Sequence, residues 1–123
     1  MQSDHQTTVE ELRQAVAAFV AARDWHPFHT PQDLAMSIAI EAAELMERFQ
    51  WLTPEQAAAE ASQPQCRASI AGELADVIIY CLSLSNALDI DISEAVQAKL
   101  GVNERRYPAS EFRSRFRRPE RER

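Results

Sequence analysis

Residues 34–46, LAMSIAIEAAELM, and residues 70–84, IAGELADVIIYCLSL, decide the fold of this chain. Apolar side chains recur around most of the circumference of both segments, which is typical of helices that are covered on nearly all sides. Two pairs of acids interrupt these helices: Glu41 with Glu44, and Glu73 with Asp76. Residues three apart share a helix face, so each pair can present two carboxylates to one point. If the two helices pack together, the sequence predicts a cluster of four carboxylates in apolar surroundings.

Such a cluster indicates a cation site. Ionised carboxylates buried together repel one another and lose hydration, so the arrangement is tolerable only when cations neutralise it. The ligands on offer are hard oxygen atoms, which favour Mg²⁺, with Mn²⁺ as a substitute. Two weaker interpretations remain. In the first, the acids lie on solvated faces and pair with Arg48 and Arg67. In the second, they form a di-iron site, but such a site needs Glu-x-x-His on two helices, and neither helix has a histidine.

The rest of the pattern predicts an all-α fold of four helices. They cover about residues 8–23, 31–51, 66–88 and 93–106, with Thr8, Thr30 and Ser93 as N-caps. Residues 54–66 are expected to form a loop with room for one short helix. A four-helix monomer cannot cover two helices that are apolar nearly all round, so we expect a four-helix bundle that is completed by oligomerisation.

Length and charge narrow the class of protein. The chain has 123 residues, enough for one domain, which we place at residues 1–108. Residues 1–103 carry five basic and fifteen acidic side chains, a net charge of −10 that would repel a nucleic acid polymer unless metal ions intervene. Residues 109–123 are rich in arginine and poor in apolar residues, so we expect a disordered tail there.

The sequence also indicates the cellular compartment of the protein. It has no run of about 18 apolar residues and its N-terminus is polar, so we expect neither a membrane span nor a secretion signal. Cys66 and Cys81 are its only cysteines. Two thiols do not make a disulfide framework, and the composition is typical of a cytoplasmic protein.

The acid pairs carry a family resemblance as well. The strings Ile40-Glu41-Ala42-Ala43-Glu44-Leu45 and Glu73-Leu74-Ala75-Asp76-Val77 resemble the E-x-x-E and E-x-x-D signature of the MazG-like nucleotide pyrophosphohydrolases. Further strings are similar to one branch of that superfamily, the dCTP pyrophosphatases: Arg23-Asp24-Trp25, Phe28-His29, Phe49-Gln50-Trp51, Asp76-Val77-Ile78-Ile79-Tyr80, and Lys99 with Asn103, Arg106, Tyr107 and Pro108. The resemblance covers about residues 10–108. One difference is Val16, in a first helix that can carry a histidine near the base pocket in that branch.

The resemblance implies a reaction, a cofactor and an assembly. The reaction is the hydrolysis of a nucleoside triphosphate to the monophosphate and pyrophosphate, with Mg²⁺, in a homotetramer or, in some relatives, a dimer. The metal ligands would be Glu41, Glu44, Glu73 and Asp76. The general base would be Glu41, Glu44 or Glu47. Glu47 extends the stripe of the first acid pair, and its alternatives are an outer metal ligand and an ordinary surface role.

A phosphate-binding face is expected on the fourth helix. Lys99, Asn103 and Arg106 lie at near-turn spacing and offer donors that suit phosphate oxygens. Tyr107 follows them and would bind substrate or simply close the helix end. For Lys99 the alternative is an ordinary solvated lysine.

A nucleoside-binding set is expected from the aromatic residues. Trp25 and Trp51 would stack on the base, because aromatic rings bind bases with little base preference. His29 would contact the base or a phosphate, and Tyr80 would pack against the deoxyribose and exclude a 2′-hydroxyl. Core or interface packing is the alternative for each of them.

The expected substrate is dCTP or a related pyrimidine deoxynucleoside triphosphate, removed from the nucleotide pool. The alternatives are a pyrophosphatase that prefers dUTP or accepts many dNTPs and, from another class, a non-enzymatic helical interaction module. A module of that kind would have no reason to place four acids in two pairs on apolar helices, so we favour the enzyme.

Overall fold

The computed structural model describes residues 1–114, and within them it contains α-helices, one short 3-10 helix (His26–Phe28) and no β-strand. The α-helices are α1 (Val9–Ala22), α2 (Pro31–Glu47), α3 (Pro54–Ser62), α4 (Pro64–Leu88), α5 (Ile92–Arg106) and α6 (Ala109–Phe112). The predicted all-α class is therefore confirmed, but residues 1–114 form six α-helices where four were predicted. The chain divides into two compact units, the first covering Met1–Ile90 and the second beginning at Asp91. Most of the arginine-rich tail, residues 115–123, lies outside the described residues.

Threonine side chains start the first two long helices, as predicted. The Thr8 hydroxyl accepts a hydrogen bond from the amide of Glu11 at 3.1 Å, and the Thr30 hydroxyl accepts one from the amide of Asp33 at 3.2 Å. Each bond satisfies an amide that has no partner within its own helix. The starts of α1 and α2 therefore follow from local sequence.

The predicted cap of α5 at Ser93 is wrong. The carboxylate of Asp91 accepts a hydrogen bond from the amide of Glu94 at 2.9 Å, so the helix begins at Ile92. A carboxylate in this position both satisfies the amide and complements the positive end of the helix dipole. The acid two residues upstream therefore replaces the serine as the cap.

Residues 48–66 are more ordered than predicted. α2 ends at Glu47 and not at Trp51, because the amide of Arg48 bonds to a carbonyl three residues back, at 3.2 Å. Thr53 and Gln56 then form a reciprocal capping box that begins α3. α4 begins at Pro64, two residues before the predicted start. Proline suits the first position of a helix, because an amide there has no partner within the helix and its absence costs nothing.

α4 is the central element of the first unit, because α1, α2 and α3 all pack against it. α2 makes the most extensive contact with it, which brings together the two helices that carry the acid pairs. Arg13 and Asn86 join α1 to the C-terminal half of α4. The Arg13 Nε donates to Asn86 Oδ1 at 3.1 Å, and Asn86 Nδ2 donates to the Arg13 carbonyl at 3.0 Å.

The described part of the chain buries few large apolar side chains. They are Val20, Leu34 and Leu82. Many others on α2 and α4 are between 43% and 59% exposed: Met36, Ile40, Met46, Leu74, Ile78 and Ile79. Apolar surface of this extent on two neighbouring helices is typical of a face that another molecule covers.

α4 is also long and apolar enough to cross a membrane, judged by length and composition alone. The core helix of a soluble protein passes the same test. Glu73 and Asp76 lie within α4, and carboxylates are costly inside a bilayer. The absence of a membrane span stays a prediction.

Candidate active site

Three of the four predicted acids converge where α2 packs on α4. One carboxylate oxygen from each of Glu41, Glu73 and Asp76 lies within 4.8 Å of the other two. Glu41 and Glu73 are half-buried, and Asp76 is exposed. The spacing of three residues sets Glu73 and Asp76 on one face of α4, and the packing of α2 adds the third carboxylate. We refer to these three residues as the acid cluster.

Glu41 is the least satisfied member of the acid cluster. Its Oε2 atom is buried and has no hydrogen-bond partner among the described residues. Burial raises the pKa of Glu41, and a hydrogen-bonding contact with Glu44, together with the charges of Glu44, Asp76 and Glu73, raises that pKa further. Two carboxyl groups can share a hydrogen bond only if one of them is protonated, so the ionised pair repels. The acid cluster therefore fits a divalent cation that binds oxygen ligands.

Glu44 and Glu47 are exposed residues of α2 outside the acid cluster. Glu44 lies against Glu41. Glu47 is the last residue of α2, and its side chain forms no hydrogen bond or ion pair within residues 1–114. The fold therefore brings Glu44 to the edge of the acid cluster, and the role of Glu47 stays a prediction.

One arginine reaches the acid cluster. The Arg48 Nη2 lies 3.7 Å from Glu73 Oε1, and the two side chains are 43% and 21% exposed. An ion pair this long and this exposed contributes little. Glu41 and Asp76 have no ion pair in the part of the chain that the structure describes. Pairing with arginine therefore accounts for Glu73 alone.

A mainly apolar cavity of about 390 Å³ adjoins the acid cluster, within the first unit. We call it the aromatic cavity. Its walls come from α1, from the segment that joins α1 to α2, and from α4: Ala15, Val16, Phe19, Val20, Trp25, His29, Asp76, Ile79, Tyr80 and Ser83. Asp76 belongs both to the acid cluster and to this wall. A ligand in the aromatic cavity would therefore lie next to the acids.

Three of the residues that we predicted to bind the nucleoside line the aromatic cavity as a series of rings. The ring centroids of Trp25 and His29 are 6.3 Å apart, and those of His29 and Tyr80 are 6.4 Å apart. Phe19 extends the series through an edge contact with Trp25 at 5.7 Å. Planar heterocycles pack well on the faces and edges of such rings.

Trp51 is placed differently. It follows α2, is 85% exposed, and is not among the residues that line the aromatic cavity. Its contact with a base stays a prediction.

The predicted phosphate-binding residues belong to the second unit. Lys99 and Asn103 are one turn apart on α5, with Lys99 exposed and Asn103 half-buried. The guanidinium of Arg106 lies 5.3 Å from the ring centroid of Tyr107, and this ring makes an edge contact with Phe112 at 5.2 Å. Their contacts with phosphate stay predictions.

Sequence reasoning missed Ser83 and the pair formed by Arg13 and Asn86. Ser83 lies seven residues after Asp76, which is two helical turns and the same face of α4, so this spacing could have identified it. No comparable signal joins Arg13 to Asn86, because the two residues are 73 positions apart.

The chain belongs to the MazG-like family, whose match covers residues 36–116. The resemblance carried by the two acid pairs is thus confirmed.

Individual relatives agree with this assignment. The chain is 40% identical to dCTP pyrophosphatase 1 of Homo sapiens over 107 residues, which make up 87% of this chain and 63% of the relative. It is 40% identical to dCTP pyrophosphatase 1 of Bos taurus over 101 residues, or 82% of this chain and 60% of the relative. The chain therefore spans only about three fifths of the length of these curated relatives.

A solved structure shares the fold. The crystal structure of a pyrophosphatase from Archaeoglobus fulgidus matches with a TM-score of 0.77 and 38% sequence identity. The match covers 88% of this chain and 99% of the other. The Archaeoglobus fulgidus protein in that structure is therefore about as long as the matched part of this chain.

Proposed function

We propose that the chain hydrolyses a nucleoside triphosphate to the monophosphate and pyrophosphate, with dCTP or a related pyrimidine deoxynucleotide as the preferred substrate. The observation that carries this proposal is the position of Asp76, which is shared by the acid cluster and the wall of the aromatic cavity. A base held among the rings would leave its phosphates beside the acids. The printed names of the relatives, dCTP pyrophosphatase 1 and a pyrophosphatase, support the same reaction.

Glu41, Glu73 and Asp76 would hold Mg²⁺, with Glu44 as a further ligand or neighbour. When bound, Mg²⁺ neutralises charge on the phosphate oxygens and lowers the pKa of a coordinated water. Glu44 lies against Glu41 but outside the acid cluster, so it is the carboxylate best placed to accept the proton of the attacking water. The water oxygen bonds to the α-phosphorus, the bond from that phosphorus to the bridging oxygen breaks, and pyrophosphate leaves.

The aromatic cavity would bind the nucleoside. Trp25 and His29 would pack on the base, and Tyr80, one turn after Asp76 on α4, would lie against the sugar and leave little room for a 2′-hydroxyl. Trp51 is proposed to contact the base. The residues of α5 and its end that we predicted to bind phosphate keep that proposed role: Lys99, Asn103, Arg106 and Tyr107.

The first experiment measures pyrophosphate release from a panel of dNTPs and NTPs with Mg²⁺, and again with EDTA. We expect the fastest release from a pyrimidine deoxynucleotide and none with EDTA. Release that persists in EDTA would contradict the metal assignment. No release from any nucleotide would favour the non-enzymatic module.

Glu41→Gln is expected to stabilise the metal-free protein. Because the pKa of Glu41 is raised in the folded state, the folded state binds this proton more tightly, and stability falls as the pH rises through the carboxyl range. In EDTA at pH 7.5 the variant should melt a few degrees above wild type (about 3–5 °C per kcal/mol relieved). The difference should shrink towards pH 4.5, and Mg²⁺ should stabilise wild type more than the variant. Equal melting midpoints in EDTA at pH 7.5 would show that the ionised Glu41 carboxylate does not destabilise the metal-free protein.

A second copy of the chain is the occupant we propose for the exposed apolar faces of α2 and α4, in a homotetramer rather than a dimer. Few large apolar residues are buried within the described chain, and those faces remain open. A bilayer is the poorer alternative, since the same helices carry the acid cluster. Free thiols at Cys66 and Cys81 suit our placement of the protein in the cytoplasm.

Met36→Asp or Ile40→Asp should convert the oligomer to smaller species. The two side chains lie one turn apart on α2 and are 57% and 59% exposed, so a charge at either position would be buried unpaired in the assembly. Light scattering after gel filtration measures the mass. Ala58→Asp, at an exposed position of α3, is the matched control and should leave the mass unchanged. A wild-type monomer would contradict the proposal.

A further inference from the structure

We propose that Ser83 is a specificity-determining residue that hydrogen-bonds the edge of the nucleobase. The inference rests on the proposed function, because it requires a nucleotide in the aromatic cavity. It adds a polar contact to a cavity that otherwise holds the base by ring packing.

Ser83 combines burial with an unused hydroxyl. The residue is only 6% exposed, and it lines both the aromatic cavity and a smaller adjoining cavity of about 130 Å³. Its hydroxyl forms no hydrogen bond within residues 1–114. Among the described residues, Glu41 Oε2 is the fully buried side-chain oxygen without a partner. The Ser83 hydroxyl is instead open to the cavities that the residue lines, so it can bond to a molecule that enters them.

A comparison with Ser85 shows that a buried serine in α4 can satisfy its hydroxyl within the helix. It lies two residues further along the same helix and is 2% exposed. Its hydroxyl donates to the carbonyl of Leu82 at 2.8 Å, which is the usual way for a serine within a helix to satisfy itself. Burial in α4 therefore does not by itself leave a serine hydroxyl unpaired.

Ser83 and His29 together form the polar part of the boundary between the two cavities. Both residues line both cavities, whereas most of the aromatic cavity is apolar. A base lying against the rings of Trp25 and His29 would direct an edge towards Ser83. A serine hydroxyl can rotate to donate or to accept, so it can meet either an amino group or a carbonyl of a pyrimidine.

The test compares Ser83→Ala with wild type on dCTP, on dUTP and on an abasic deoxyribose triphosphate. In Ser83→Ala we expect kcat/KM for both pyrimidine nucleotides to fall about ten-fold relative to kcat/KM for the abasic compound. This is the effect expected from the loss of one hydrogen bond to a buried group. Ser85→Ala is the matched control, because it removes a hydroxyl that is already satisfied within the helix. Ser83→Cys, with a weakly bonding thiol of similar size, should repeat the result of Ser83→Ala if the alanine variant does not fold.

The outcomes separate the two proposals. An active wild type with an unchanged ratio in the Ser83 variants would overturn the inference and leave the proposed function standing. An equal loss on the abasic compound would also overturn it, because the defect would then not involve the base. A wild type that releases no pyrophosphate from any nucleotide would overturn the proposed function and this inference with it.

Discussion

Asp76→Asn is expected to lower pyrophosphate release by about 10³-fold or more. A bound metal ion supplies several kcal/mol of stabilisation to the reacting phosphate, and each 1.36 kcal/mol corresponds to about a ten-fold change in rate. Asp76 is the member of the acid cluster that also lines the aromatic cavity, so in the proposed complex its charge would lie between the base and the phosphates. The measurement is turnover with saturating dCTP and Mg²⁺, together with the melting midpoint.

Asp89→Asn is the matched control for this variant. Asp89 ends the same helix with a left-handed backbone, at φ of 51°, a conformation that asparagine adopts readily. It lies outside the acid cluster and the aromatic cavity, so its turnover should stay within about two-fold of wild type. If Asp76→Asn were folded and kept wild-type turnover, the assignment of the acid cluster as a metal site would be wrong.

Glu44→Gln is expected to lower turnover by about 10²–10⁴-fold, the usual contribution of a general base. The amide keeps the shape of the side chain and cannot accept the proton of water. Glu47→Gln, one turn further along α2, should lose less than about ten-fold, because Glu47 ends α2 and its side chain forms no hydrogen bond or ion pair within residues 1–114. Rates measured from pH 6 to 9 for both variants separate the roles of these two acids.

If the two losses of turnover ranked in the opposite order, the assignment of the general base would change. A large loss in Glu47→Gln with a small loss in Glu44→Gln would mean that Glu47, and not Glu44, accepts the proton of the attacking water. Metal affinity measured in parallel shows whether a loss at Glu44 comes from proton transfer or from weaker binding of Mg²⁺.

Sequence spacing was sufficient for several features that lie within one helix, although it misplaced the cap of α5 and the end of α2. The intervals from Glu41 to Glu44 and from Glu73 to Asp76 predicted which acids would share a face, and the threonine caps located the starts of α1 and α2. These features depend on contacts between residues three or four positions apart.

The aromatic cavity could not be derived in the same way. It forms because one face of α1 lies against the second half of α4, and the bonds that join them connect Arg13 to Asn86 across 73 positions. Helical periodicity identifies apolar faces, but it does not say which faces meet. Trp25, His29 and Tyr80 were therefore chosen from family resemblance, and Ser83 was missed because it resembles any small helical residue.

Asp76 belongs both to the acid cluster and to the wall of the aromatic cavity, so the proposed metal ion and nucleotide would depend on each other thermodynamically. When one side chain serves two ligands, each ligand changes the affinity of the other by the same factor. On the proposed assignment, Mg²⁺ at the acid cluster would remove the repulsion between Asp76 and an incoming triphosphate, so the nucleotide should strengthen the binding of the ion in return. A titration of Mg²⁺ into the nucleotide-free protein would then report a weaker affinity than the one that operates during turnover.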